Sequence, residues 1–183
     1  RGRRALVVES IDASRRALRL QLEAWKLEVE EARSAREAVE RMRAADATGR
    51  RFEIVLLGDR LPDDSGEELG RKILASHSED SPHLVLLAAS GRRGDAGRAH
   101  ASGFGGYLTK PVRASELRGC LELVCGRGGA SPSGEPGEIV TRHAIGAVRR
   151  SHTRVLVVED DPVNQRVVSH MIGKLDVRCE VLG

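Results

Sequence analysis

Three runs of four consecutive apolar residues punctuate the first half of the chain: Ala5-Leu6-Val7-Val8, Ile54-Val55-Leu56-Leu57 and Leu84-Val85-Leu86-Leu87. A strand with one wet face alternates apolar and polar residues, whereas an unbroken run suits a strand covered on both faces. Between the runs, apolar residues recur at helical spacing. Leu18, Leu22 and Trp25 predict a first helix, Ala35, Val39 and Met42 a second, and Leu69 and Ile73 a third. Gly91 to Ser102 reads as a weak fourth helix, and Leu117, Leu121 and Val124 as the stripe of a fifth. Leu27 with Val29, and Tyr107-Leu108-Thr109, add two short strands. Strands alternating with helices imply a parallel sheet with right-handed crossovers, here five βα units in a doubly wound, three-layer α/β sandwich.

In such folds the functional crevice lies beyond the carboxyl ends of the strands. The residues that matter are therefore Glu9-Ser10, Gly58-Asp59, Ala88-Ala89-Ser90 and Thr109-Lys110. The pattern stops near residue 125. A Gly-, Ser- and Pro-rich stretch opens at Gly126 and predicts a flexible linker over 126–153, within which Ile139 to Ile145 is less polar and is expected to pack. Then the opening returns: Arg154-Val-Leu-Val-Val-Glu159 repeats Arg4-Ala-Leu-Val-Val-Glu9. A segment of about 30 residues buries too little surface to fold alone. The expected organisation is a whole domain over 1–125, a linker, and at 154–183 the N-terminal fragment of a second like domain that continues past residue 183. Left by itself, that fragment is expected to be disordered, or ordered only against another molecule.

Composition removes several classes. No apolar run approaches the 18 to 20 residues of a membrane span, and Arg1-Gly-Arg-Arg leads directly into a strand without a signal peptide, so no membrane contact and a cytoplasmic location are expected. The net charge of +3 comes from interspersed acids and bases, which gives no nucleic-acid-scale field. Cys120, Cys125 and Cys179 lack metal-ligand spacing and read as reduced thiols.

An apolar strand ending in acid, a strand ending near Asp-x-x-Pro and a late strand ending in Lys-Pro together suggest a phosphoryl-transfer pocket. Such a pocket needs an aspartate nucleophile, carboxylates for Mg²⁺, a small hydroxyl and a lysine. On Val7-Val8-Glu9, Leu61-Pro62-x-x-x-Gly66, Gly103-Phe104-x-x-Tyr107-Leu-Thr-Lys110-Pro111 and Val157-Val-Glu-Asp-Asp-Pro-Val-Asn-Gln165, the chain resembles the receiver (CheY-like) domains of two-component signalling. It is similar in particular to the tandem receivers of hybrid sensor histidine kinases, for which Thr141-Arg142-His143 is also typical. The resemblance implies a flavodoxin-like (βα)5 fold.

Measured against that family, the first domain departs where the chemistry should be. The phosphoacceptor position, four residues before Pro62, is Gly58. Ser10 replaces the second metal-binding acid and leaves Glu9, and Ala88 replaces the hydroxyl residue. Lys110 remains, as does Tyr107 at the aromatic readout position beside Pro111. No metal is expected in this domain. Glu159 and Asp160 keep the metal-binding pair in the second unit, where Mg²⁺ would serve only a complete receiver. Asp59 lies one residue beyond the acceptor position. A one-residue step along a strand turns the side chain to the other face, so Asp59 is expected to aim away from the pocket unless the strand has ended.

The remaining candidates have plainer readings. Lys110 can neutralise Glu9, and Lys110-Pro111 is the kind of bond at which a cis peptide forms. Asp63, Asp64, Glu67 and Glu68 read as a solvated helix start. Trp25 reads as core, and the six histidines as incidental. Arg93, Tyr107 and Arg113 could make an anion or nucleotide site, since arginine forks match phosphates.

The leading expectation is a non-catalytic pseudo-receiver with no cofactor. It would act by docking through its α4-β5-α5 face on the histidine kinase core or the following receiver. The alternatives are a sensor of a small anionic nucleotide through Arg93, Tyr107 and Arg113, and a phosphoacceptor using Asp59. A flavodoxin-like cofactor binder is a further option, for which no phosphate loop follows the first strand.

Overall fold

The computed structural model describes residues 3–77, 81–92, 94–126, 139–146, 154–173 and 178–182. The chain divides into two compact units, Arg1–Thr141 and Arg142–Gly183.

The first unit runs β1 (Arg4–Val8), α1 (Asp12–Ala24), β2 (Glu28–Ala32), α2 (Ala35–Ala47), β3 (Ile54–Gly58), α3 (Gly66–Ser76), β4 (His83–Ala88), α4 (Asp95–Ala101), β5 (Gly106–Thr109) and α5 (Ala114–Gly126). The strands form one parallel sheet in the order β2-β1-β3-β4-β5. This is the expected flavodoxin-like α/β architecture. The apolar runs at 5–8, 54–57 and 84–87 are the three central strands, buried on both faces. Strand alternation sends Leu6, Val8, Val55, Leu57, Leu84, Leu86 and Tyr107 into one apolar cluster with Met42, Leu69, Ile73, Ala99 and Phe104 from the α2, α3 and α4 layer. Val7, Leu56, Val85, Leu87 and Leu108 face the other way, towards the layer of α1 and α5.

Local chemistry sets the helix starts. Ser34 Oγ accepts from Glu37 N at 3.2 Å and Ser65 Oγ accepts from Glu68 N at 3.1 Å, each satisfying an orphan donor of a first turn. α4 is shorter than the expected span from Gly91, because it begins only at Asp95, whose carboxylate accepts from Arg92 N at 2.9 Å. β2 carries Glu28, Glu30 and Glu31, which pair with Arg50, Arg41 and Arg19, among others. Charge thus guards this edge of the sheet.

The first unit extends past the expected boundary at 125. Ile139–Thr141 lies within it, with Val140 in a parallel bridge to Gly106. The stretch expected as a linker over 126–153 therefore includes a piece seated on the sheet, because its β-branched residues find an open strand edge. Residues 127–138 and 147–153 lie outside the described residues.

The second unit contains β6 (Arg154–Val158), α6 (Pro162–Gly173) and β7 (Arg178–Leu182), with β6 and β7 paired in parallel. This segment is expected to be disordered, or ordered only against another molecule; its described residues form a strand, a helix and a strand. Asp161 Oδ1 caps α6, accepting from Val163 N at 2.7 Å. The internal repeat extends to hydrogen bonds. Ile11 N donates to Glu9 Oε1 at 3.2 Å, as Asp161 N does to Glu159 Oε1 at 3.2 Å. The carbonyl of Glu9 accepts from Arg15 at 2.8 Å, as that of Glu159 does from Gln165 at 2.6 Å. No described residue between 154 and 182 is buried. Among the described residues, no helix is long and apolar enough to cross a membrane.

Candidate functional site

The crevice at the carboxyl ends of β1, β3, β4 and β5 is built around one buried acid. Glu9 follows β1, its N–H donates to Ala32 O at 3.0 Å, and the residue is fully buried. A carboxylate at that depth requires a partner. Lys110, delivered by the end of β5 and fixed by its N–H to Ala88 O at 2.8 Å, supplies one: its Nζ lies 2.5 Å from Glu9 Oε2. The Lys110–Pro111 peptide is cis.

Asp59 also faces this lysine, contrary to the expectation that it aims away. Its Oδ1 is 3.8 Å from Lys110 Nζ, and its Oδ2 accepts from Ala89 N at 3.0 Å. The physical reason is that β3 ends at Gly58, so strand alternation no longer governs Asp59. The chain turns there: the Asp59 carbonyl accepts from Gly66 N at 3.0 Å, and Arg60 bridges to Ser65. The turn swings the Asp59 carboxylate towards the loop after β4.

Gly58 sits beneath Glu9. A Cβ built on Gly58 would lie 2.9 Å from Glu9 Oε2, so the glutamate head group occupies the space into which a side chain at 58 would grow. Gly66 is more tightly constrained, since a Cβ there would lie 2.2 Å from the backbone carbonyl oxygen of Gly58.

The other expected residues fall around this centre. Ser10 is exposed and donates to Arg60 O at 3.3 Å. Ala88 ends β4 and is buried, and Pro111 is exposed. Tyr107 is buried, and its hydroxyl donates to Ser90 O at 3.2 Å. Burial, and then the charge of Asp95, push the Tyr107 phenol up. Arg113 is exposed ahead of α5, and its carbonyl accepts from Glu116 N and Leu117 N. Arg93 lies outside the described residues, and the buried Tyr107 ring offers little face for a base to stack on. In the second unit, Glu159 and Asp160 follow β6, with Glu159 Oε1 engaged by Asp161 N.

The donor set does not fit Mg²⁺. That ion wants near-octahedral oxygen ligands. Here an ammonium sits between the two carboxylates, Ser10 is turned to Arg60, and Gly58 brings no side chain. Among the described residues, no group of three or more His, Cys, Asp or Glu side chains is placed to hold a metal. What the arrangement does is neutralise buried charge.

Two contributors escaped the sequence reading. Arg15 is buried and binds the Glu9 carbonyl, Asp12 and Glu31. The signal was present, since position 15 lies one turn before Leu18 on the apolar stripe of α1. Asp63, read as a solvated acid, accepts from Ala35 N and Arg36 N at 2.9 Å each and caps α2. Those backbone donors hold its carboxyl below the usual value. Trp25, read as core, is half-buried and lines a cavity of about 460 Å³ with Leu27, Ile54, Leu121 and Cys125, remote from the crevice.

The comparisons agree with this architecture. A family model described as the response regulator receiver domain matches residues 5–122. The response regulator protein PilR of Pseudomonas aeruginosa is 27% identical over 189 residues, covering 97% of this chain and 40% of PilR. The chain thus spans less than half the length of that relative. Among solved structures, the Vibrio cholerae chemotaxis protein CheY4 aligns with a TM-score of 0.59 at 22% identity, covering 68% of this chain and 99% of CheY4. The receiver domain of Saccharomyces cerevisiae Ssk1, crystallised with the histidine phosphotransfer protein Ypd1, aligns with a TM-score of 0.58 at 24% identity, covering 66% of this chain and 87% of its own.

Proposed function

The chain belongs to the response regulator receiver domain family, and from that membership we propose that its first unit is a pseudo-receiver, which regulates by docking without accepting a phosphoryl group. One observation carries this reading. The acceptor position is Gly58, and the space above it is taken by the Glu9 carboxylate, itself engaged by Lys110. Glycine has no nucleophile, and Ala88 cannot hydrogen-bond a phosphoryl oxygen. Lys110, the cation that would balance phosphoryl charge, is already committed to Glu9.

Asp59 is a poor substitute despite facing the lysine. Its Oδ2 holds the Ala89 N–H at 3.0 Å, and its Oδ1, the oxygen left to attack, lies 3.8 Å from a lysine already paired with Glu9. In this reading the unit works in the cytoplasm as a module of a hybrid histidine kinase. Its α4-β5-α5 face docks on the kinase core or on a following receiver. That the Ssk1 receiver crystallises with a histidine phosphotransfer protein supports a phosphorelay protein as the class of partner.

The test is intact mass after incubation with acetyl phosphate and Mg²⁺, beside Asp59→Asn. No phosphoryl adduct is expected in either protein. An adduct on the wild-type chain that vanishes in Asp59→Asn would overturn the reading and make Asp59 the acceptor.

A further inference from the structure

The amino ends of the strands carry a second concavity, at the opposite end of the sheet from the crevice. It holds about 460 Å³, between Ile54 at the start of β3, Leu27 just before β2 and Leu121 on α5. Ile54 and Leu121 are buried on a strand and a helix, so this part of the wall is pre-formed. A close-packed domain leaves few spaces of this size unfilled. Burial pushes the Cys125 thiol up, so Cys125 adds a neutral, weakly polar surface. The half-buried indole of Trp25 supplies a flat aromatic face.

The rim of this apolar space is basic. Arg3, Lys26 and Arg118 all border it. Arg118 Nε is matched by Glu122 at 2.8 Å, and Arg3 Nε by Glu53 at 3.5 Å. Lys26 is the one of the three whose charge meets no acid among the described residues. Its backbone also stands out, with φ at 65°, the left-handed conformation that glycine adopts at least cost. That conformation closes α1: Lys26 N donates to Glu23 O at 2.9 Å, and Leu27 N to Leu22 O at 3.2 Å. Glycine would serve the cap better, so the cap does not account for a lysine there. An unmatched ammonium at the mouth of an apolar cavity suits an anionic group carried on an apolar body.

We propose that this cavity binds a small aromatic carboxylate, its ring against Trp25 and its carboxylate on the Lys26 ammonium. A flat, rigid ring suits the indole face and loses less freedom on binding than a flexible alkyl chain of similar size. The site lies away from the crevice and does not rest on the docking reading above.

The test uses the full chain, ¹⁵N-labelled. Trp25 is the one tryptophan of the sequence, so its indole N–H gives a single resonance at the site. The probes are the naphthoate anion and naphthylmethanol, which keeps the ring and lacks the charge. Lys26→Asn removes the ammonium with a residue that tolerates the left-handed backbone. Ala24→Phe sets a ring on an exposed position of the cavity wall, outside the core.

Naphthoate is expected to shift the Trp25 indole resonance saturably, with a Kd of about 1 mM or tighter. Lys26→Asn is expected to weaken naphthoate about three-fold and to leave the alcohol unchanged. Ala24→Phe is expected to weaken both probes about ten-fold or more by occupying the space. Absence of a saturable indole shift in the wild-type chain would overturn the site. So would equal naphthoate affinity in wild type and Lys26→Asn, an equal loss of both probes in Lys26→Asn, or wild-type binding by Ala24→Phe. Amide dispersion reports folding, and should Ala24→Phe lose it, Lys26→Asn decides.

Discussion

The Lys110 ammonium lies 2.5 Å from the Glu9 carboxylate, and that carboxylate stands where a side chain at Gly58 would have to go. The two residues come from the ends of β5 and β1, which are separated in the sheet by β3 and β4. Their pairing closes the crevice across the whole width of the site. It also leaves one ammonium shared between two carboxylates, those of Glu9 and Asp59.

Removing the lysine alone is the sharpest probe of that pair. Lys110→Met leaves a fully buried carboxylate with its main counter-charge gone, and breaking such a pair from one side is strongly destabilising. Because the lysine side chain is 19% exposed, the loss is expected at the low end, about 3 kcal/mol. The double variant Glu9→Gln/Lys110→Met is expected to recover most of it. Urea unfolding at neutral pH checks both. A double variant no more stable than Lys110→Met would mean that the pair is not what holds the site.

An aspartate at position 58 is expected to harm the fold. Gly58→Asp brings a Cβ against Glu9 Oε2 and sets a second carboxylate beside the first, an overpacking that costs about 1 to 3 kcal/mol. Glu9→Ala/Gly58→Asp empties that space and offers the introduced carboxylate the Lys110 ammonium, so the two substitutions are expected to be non-additive and mutually relieving. A double-mutant cycle by chemical denaturation measures the coupling. Additive losses would contradict the contact.

Asp63 offers a pH-dependent test away from the crevice. Its two backbone donors at the start of α2 hold the folded carboxyl below its ordinary value of 3.8. A lowered folded value means that the contribution is complete above the ordinary value and is lost as pH falls through the folded one. Asp63→Ala is expected to cost about 1 kcal/mol at pH 7, the typical worth of a capping side chain. The gap between the two proteins is expected to close only below about pH 3.8. A gap that closes near neutral pH would assign the effect to another group.

Much of the fold was legible because its cause is local in sequence. Continuous apolar runs that alternate with helical patterns suit strands covered on both faces, and the residues just past those runs line the crevice. That a glycine stands at position 58 and a lysine at 110 was equally readable, since each is a matter of residue type at a counted position. Arg15 was legible in principle, as a charge on an apolar helical stripe. Its partners could not be read, since Glu31 is reached across the space between α1 and β2.

The sequence by itself thus determined the layers, the order of elements and the residue types at the strand ends, because periodicity and residue identity are properties of a linear string. Only the tertiary structure decided where groups of distant origin meet. Asp59 turns inward because β3 stops one residue earlier. Asp63 caps a helix that begins 28 positions before it. Val140 closes an edge made of residues far upstream. Each of these depends on where a strand ends or which edge is left open, and such facts arise only once the chain has packed against itself.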